Sequence, residues 1–205
     1  MRRFVSASVA ALLIVLVALP VSAASTTWKL YSFNASGYHL RAQVADVAPS
    51  GAVSFTFPTD TFTGAAYLTT AKVGTGANPL SAMVSITAAA GTTFANYPGC
   101  TNTTTNPTVG LYFETQSPGA FNPSAYWWSS QRVSLSSLVG NPPTLLSTSI
   151  SSPSGWTNYN GQTDAAGFAA AAANITAWGV SFGGDCFYAN GVAASNGSAV
   201  FTLKP

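Results

Sequence analysis

Residues 168–192 read F-A-A-A-A-A-N-I-T-A-W-G-V-S-F-G-G-D-C-F-Y-A-N-G-V, and they set the architecture of the chain. Residues 169–173 are alanine, the best helix former, and Phe168 and Ala172 stand i,i+4 on one helical face. A helix this short is not stable alone and has to lie on a packed surface, and Asn174 is a plausible stop. Residues 176–182 then switch to period two. Trp178, Val180 and Phe182 point one way, while Ala177, Gly179 and Ser181 point the other. The small set predicts a face pressed against another layer, or one that has to stay open. Gly183-Gly184 permits a sharp exit from the strand, and Asn190-Gly191 is a second turn signal.

The same alternation runs through the rest of the chain. Strands are predicted over residues 28–33, 38–47, 52–57, 65–71, 83–87, 109–115, 125–130, 132–138, 144–150, 176–182 and 198–203. Val53, Phe55 and Phe57 form one inward set, Val109, Leu111 and Phe113 a second, and Ala199, Phe201 and Leu203 a third. Turn clusters rich in Gly, Pro and Asn separate these runs, and residues 153–164 read as a long irregular loop. Many short strands with almost no helix indicate an all-β chain, a jelly-roll-type β-sandwich with one short helix. Neither an internal repeat nor a domain-scale linker is visible.

The chain opens Met1-Arg2-Arg3, followed by an apolar run over residues 9–19 and small residues around Ala23 and Ala24. That order predicts a secretory signal peptide over residues 1–24 and a single domain over residues 25–205. The alternative is a membrane anchor, but the run is short for a span and is followed by Pro20. Roughly 180 residues remain, enough for one domain with its own core. The protein is therefore expected to be secreted and extracellular, or periplasmic if the host has an outer membrane, with no membrane span after cleavage.

Charge is scarce: 6% of residues are Asp, Glu, Lys or Arg. With the leader gone, Lys29, Arg41, Lys72, Arg132 and Lys204 balance Asp46, Asp60, Glu114, Asp164 and Asp185. Binding nucleic acid takes clustered cations to neutralise phosphates, and these stand singly, so that class is excluded.

Cys100 and Cys186 make an even pair in a chain expected to be exported. A disulfide between them would close a loop of about 86 residues, worth on the order of 4–5 kcal/mol by chain entropy. The alternatives are two buried thiols, poor in an oxidising compartment, or a metal site that also recruits His39.

A set of motifs carries a resemblance. They are L-Y-F-E-T at 111–115, Y-W-W-S at 126–129, S-G-W-T-N-Y-N-G at 154–161, the opening stretch, and G-S-A-V-F-T-L at 197–203. Over roughly residues 100–205 the chain resembles bacterial secreted jelly-roll domains, laminin IV/B-like in layout and of the broad galactose-binding-like type. Those domains often carry Leu in the short helix where this chain has Ala171 or Ala172. The resemblance implies an adhesion, matrix or carbohydrate-binding role and carries over no catalytic residue.

Residue chemistry points the same way. A glycosidase needs two carboxylates about 5–10 Å apart, and Glu114 with Asp185 is the conceivable pair. The plainer reading has Glu114 balancing Arg132 and Asp185 serving a turn. His39 is the one histidine, without a nucleophile-elbow motif beside it. Gly183-Gly184 lacks the lysine and following helix of a phosphate loop. No cofactor is expected. Asp46, Asp60 and Asp185 are the carboxylates left for a structural calcium ion, which nothing in their spacing predicts. Four Asn-x-Ser/Thr sequons, at Asn34, Asn102, Asn174 and Asn196, are chance-level in so Asn- and Thr-rich a chain.

Sugars are gripped by flat aromatic faces with amides and hydroxyls alongside. The candidates are Trp156, Tyr159, Asn158, Asn160 and Trp128. Trp127 and Trp128 must face opposite sides of their strand, so one is expected in the core and the other open or covered by the Trp156 loop. The expected function is non-enzymatic binding of an extracellular glycan or surface polymer through loop aromatics. The alternatives are a structural or self-associating surface protein whose aromatics are all core, and a weak glycan-active enzyme.

Overall fold

The computed structural model describes residues 27–34, 36–45, 51–71, 79–99, 106–115, 122–184 and 187–205. The expected leader, Asp46, Cys100, Asp185 and Cys186 lie outside the described residues, and so does the disulfide expected between those cysteines.

The described chain is mostly strand. In order come β1 (Thr27–Asn34), β2 (Gly37–Ala45), β3 (Val53–Thr56), β4 (Ala65–Ala71), β5 (Leu80–Ala88), β6 (Thr93–Asn96) and β7 (Thr108–Thr115). There follow β8 (Tyr126–Ser134), β9 (Thr144–Thr148), β10 (Trp156–Asn158), the helix α1 (Ala165–Ala173), β11 (Ile175–Gly183), β12 (Val192–Ser195) and β13 (Ala199–Lys204). Two antiparallel sheets result. The larger runs β10-β8-β7-β11-β4-β1-β2, with β12 joined to the end of β4 and β6 beyond it. The smaller runs β3-β13-β5-β9.

The sheets face each other across one apolar core. Val53, Phe55, Val84, Ile86, Phe201 and Leu203 come from the small sheet, and Leu68, Leu111, Phe113, Val180 and Phe182 from the large one. All-β layering with one short helix is therefore the architecture. Phe55, Phe57, Phe182 and Phe201 meet edge-on or tilted, with ring centroids 4.9–6.2 Å apart, the geometry favoured by the ring quadrupole. Each inward set read from period two is buried.

Four features depart from the sequence reading. Residues 126–134 form one strand where two segments are expected, with a register shift against β7 between Gly110 and Tyr112. The irregular loop after Pro153 contains β10, which adds to the edge of β8 through Trp156↔Ser129, Thr157↔Trp128 and Asn158↔Trp127. β6 and β12 pair with each other, although neither carries a strong alternating pattern. Helix α1 also begins earlier than the alanine run, because the Asp164 carboxylate accepts from Ala166 N at 3.1 Å and caps it.

The outer faces of the two sheets are unlike. The small sheet turns Ser54, Thr56, Thr87 and Thr202 outward, with Ser54 and Thr202 hydrogen-bonded across strands at 2.8 Å. The large sheet turns tyrosine outward, and the candidate site lies there.

Candidate functional site

The central strand β11 explains how that aromatic face is built. β11 runs between β7 and β4, with Gly179 opposite Tyr112 on one side and Thr69 on the other, and Ser181 opposite Tyr67. A Cβ on Gly179 would collide with the Leu68 carbonyl oxygen and the Thr69 backbone. With no large side chain on β11 in between, Tyr67 and Tyr112 lean over it and meet at 4.4 Å. The small outward residues thus serve as the floor beneath a roof of phenols.

From that pair a closed circuit of rings spreads over the face. Phe33, Tyr38, Tyr67, Tyr112, Trp128, Tyr159 and Phe187 follow one another with centroids 4.4–6.0 Å apart, and Phe187 returns to Phe33 at 5.3 Å. Tyr67, Tyr112 and Trp128 are buried, while Phe33, Tyr38, Tyr159 and Phe187 are half-buried around them.

Arg132 anchors one side of this face. Its Nε donates to Thr108 Oγ1 at 2.8 Å, and Nη1 donates to Ser181 Oγ at 3.1 Å. Nη2 reaches the carbonyls of Ser181 and Tyr188 at 3.0 and 3.1 Å, and the guanidinium lies 4.5 Å from the centre of the Tyr188 ring. Burial pulls the Arg132 pKa down to about 9, so it stays charged at neutral pH. These bonds fasten Tyr188 to the sheet and hold the connection between β11 and β12 against it. The expectation that Arg132 balances Glu114 is therefore corrected: Arg132 sits opposite Gly110, and Glu114 sits opposite Tyr126. Among the described residues Arg132 is held by hydroxyls and carbonyls.

Among the described residues, two hollows open on the face. One is a groove of about 480 Å³ bounded by Trp128, Thr157, Tyr159, Asn160, Phe187 and Tyr188, with Asn158, Gly161 and Gly184 completing its wall. The second, about 180 Å³, is walled by Tyr31, Tyr38, Tyr67, Tyr112 and Tyr126, with Thr69 and Glu114.

The residues expected to bind sugar divide between roles. Trp128 is the outward member of the adjacent pair, covered by Tyr159 at 5.6 Å, while Trp127 points into the core and donates to Ser124 O at 2.9 Å. Tyr159 and Asn160 sit on the groove with exposed surface. Asn158 lines it too, but its Oδ1 accepts from Asn160 N and Gln162 N, both at 3.0 Å, and so shapes the loop.

Trp156 is a correction. It is 1% exposed, packed on Phe113 at 4.9 Å and Phe168 at 6.2 Å, and its indole N–H donates to Ser149 O at 2.7 Å. A core tryptophan offers no face to a ligand. The physical reason is β10: strand alternation turns Trp156 and Asn158 away from Thr157, toward the β8 flank that holds Trp127. Thr157, which sequence reasoning passed over, faces the groove with Trp128, and its buried Oγ1 has no hydrogen-bond partner among the described residues.

The small hollow holds the one ionisable acid on this face among the described residues. Glu114 Oε2 accepts a hydrogen bond from the Tyr112 hydroxyl at 2.5 Å. Burial pushes the Glu114 carboxyl above the usual range, partly offset by the Tyr112 bond and the charge of Lys29. Burial likewise raises Tyr67 and Tyr112 well above an ordinary phenol. The other described carboxylates serve as caps: Asp60 accepts from Phe62 N and Thr63 Oγ1, and Asp164 opens α1. Glu114 lies at the far end of β7 from Thr108, the partner of Gly183, a span of roughly 20 Å.

No family model matches this chain, and no curated protein or solved structure matches it either.

Proposed function

We propose that the protein is an exported, non-enzymatic β-sandwich of jelly-roll type that binds an extracellular carbohydrate in the groove beside β10. The observation that carries this reading is the mixed lining of one open hollow. Tyr159, Phe187 and Tyr188 offer ring surface, Asn160 an exposed amide, and Thr157 a buried hydroxyl without a partner among the described residues. Sugars present C–H faces and hydroxyl edges together, so rings and amides side by side suit them. The volume falls in the range of small-ligand sites. The resemblance of residues 100–205 to laminin IV/B-like domains supports the same class. Export rests on the leader-like residues 1–24, and N-terminal sequencing of secreted material tests it. A Cys100–Cys186 bridge belongs to this reading, and intact mass with and without reduction before alkylation tests it.

The decisive experiment is a glycan array with the protein lacking residues 1–24, alongside Tyr159→Ala and Asn160→Ala. Loss of at least tenfold in affinity, about 1.4 kcal/mol, is expected from Tyr159→Ala. Binding that survives both changes removes the groove as the site. A structural, self-associating role gains from the burial of Trp127, Trp128 and Trp156, and it becomes the better reading if the array is blank and the protein sediments as a concentration-dependent assembly.

A further inference from the structure

The small hollow beside the groove has a different chemistry. Its walls are phenol rings from five strands: Tyr31 of β1, Tyr38 of β2, Tyr67 of β4, Tyr112 of β7 and Tyr126 of β8. Tyr112 lies between Tyr67 at 4.4 Å and Tyr126 at 6.5 Å, and Tyr38 lies 4.9 Å beyond Tyr67. Glu114 is the acid among them. Only Tyr112 hydrogen-bonds its carboxylate among the described residues, through Oε2, which leaves Oε1 for another donor. Lys29, on the same face, is exposed and close enough to influence Glu114 without pairing to it.

We infer that this tyrosine-walled hollow, with Glu114 at its edge, is a binding site for an alkylammonium head group. The faces of aromatic rings carry negative electrostatic potential and attract cations, most strongly where water is excluded. A half-buried carboxylate held by one neutral donor has lost much of its hydration, and a cation beside it restores the balance. The volume of about 180 Å³ suits a head group, below the range of sites that enclose whole drug-sized ligands.

The same features disfavour other occupants. A hard divalent ion takes six or more oxygen ligands, and one carboxylate with phenols is a poor set. An anion would be repelled by Glu114. A neutral sugar would find here none of the amides that edge the neighbouring groove. The inference does not depend on glycan binding, because Tyr112 and Trp128, 6.0 Å apart, divide the two hollows.

The test uses the full mature chain and a matched pair of probes: choline, and 3,3-dimethylbutan-1-ol, its neutral isostere. Binding is followed by tyrosine and tryptophan fluorescence and by calorimetry, against equal concentrations of sodium chloride. Saturable choline binding is expected, at least tenfold tighter than that of the neutral isostere. Glu114→Gln should weaken choline binding at least tenfold while the protein still melts cooperatively and no earlier than wild type, and Lys29→Met should tighten it severalfold. Affinity should rise with pH as Glu114 ionises and fall with salt. Ethylammonium in place of choline then separates a protonated from a quaternary head group. Equal binding of the isostere, no saturation with either ammonium probe, or a Glu114→Gln variant that binds choline as wild type would each overturn the inference. The isostere comparison uses the unmodified protein, so a variant that fails to fold cannot obscure the answer.

Discussion

Glu114 is a carboxylate among phenols, and its folded-state pKa lies above its unfolded one, chiefly from burial. The sign of the stability effect follows. Below the unfolded value, near pH 4.5, the protonated side chain sits in the hollow at no ionic cost. As pH rises through the folded value, ionisation is harder in the fold than in the unfolded chain, and that favourable margin is lost. Glu114→Gln should therefore gain stability relative to wild type between pH 4.5 and neutrality, read from urea midpoints at both pH values. A constant difference across that range would mean the carboxyl is not perturbed. Trp156 poses a different question. Trp156→Ala should cost about 3–5 kcal/mol in urea unfolding, because it empties a packed site between Phe113 and Phe168. Tyr159→Ala, with its half-exposed ring, should cost far less. If the two costs were alike, Trp156 would not be the core residue and Tyr159 the groove residue.

Among the elements, β11 carries the most. It joins β7 to β4 inside the large sheet and sends Val180 and Phe182 into the core. Its outward residues decide what the flanking strands can do. Gly179→Ala would drive a methyl into the Leu68 carbonyl, so a loss on the order of 3 kcal/mol is expected. The change should also disturb the Tyr67–Tyr112 contact, visible as altered near-ultraviolet dichroism. Helix α1 is the opposite case. Nine residues cannot sustain a helix alone, so docking through Phe168 and Ala171 is what keeps it. Phe168 reaches Trp127 at 5.2 Å and Phe113 at 5.9 Å. Removing its cap with Asp164→Ala should cost about 1 kcal/mol in thermal or urea unfolding. An unchanged midpoint would show that packing alone sets the helix start.

Across the molecule, the asymmetry between the two sheets is the dominant fact. Both inner faces are consumed by a shared core. The outer face of the small sheet mixes hydroxyls with the exposed Leu145 and Val200, whereas the outer face of the large sheet bears a circuit of rings drawn from both halves of the chain. Phe33 and Tyr38 come from its first hairpin, Tyr159 from the loop after β10, and Phe187 from the connection after β11. Side chains so distant in sequence meet only when the whole sheet has formed. Unfolding should accordingly be a single cooperative transition, with far-ultraviolet dichroism and tryptophan fluorescence coincident in urea. Separated transitions would mean that the aromatic face assembles independently of the core.

Local alternation was enough to read the fold class, the inward sets on β3, β7 and β13, and the opposed faces of β11. Period two is a property of the strand itself and needs no partner. The same rule required Trp127 and Trp128 to part, but which of them entered the core depended on the register of β8 against β7. Asp164 has the side chain of a helix cap, but Gly167 stands between it and the alanine run, so composition alone places the helix start too late. β6, β10 and β12 were not legible, since short strands exist through the neighbours that complete their hydrogen bonds. That is why Trp156 read as a loop aromatic and is a core residue, and why Thr157 took a place at the groove. The tyrosine hollow around Glu114 lay furthest from view: its residues are spread from position 31 to position 126 and share no motif. Sequence periodicity sets which face a side chain takes, while pairing and twist bring faces from distant strands together, and both hollows are products of that second step.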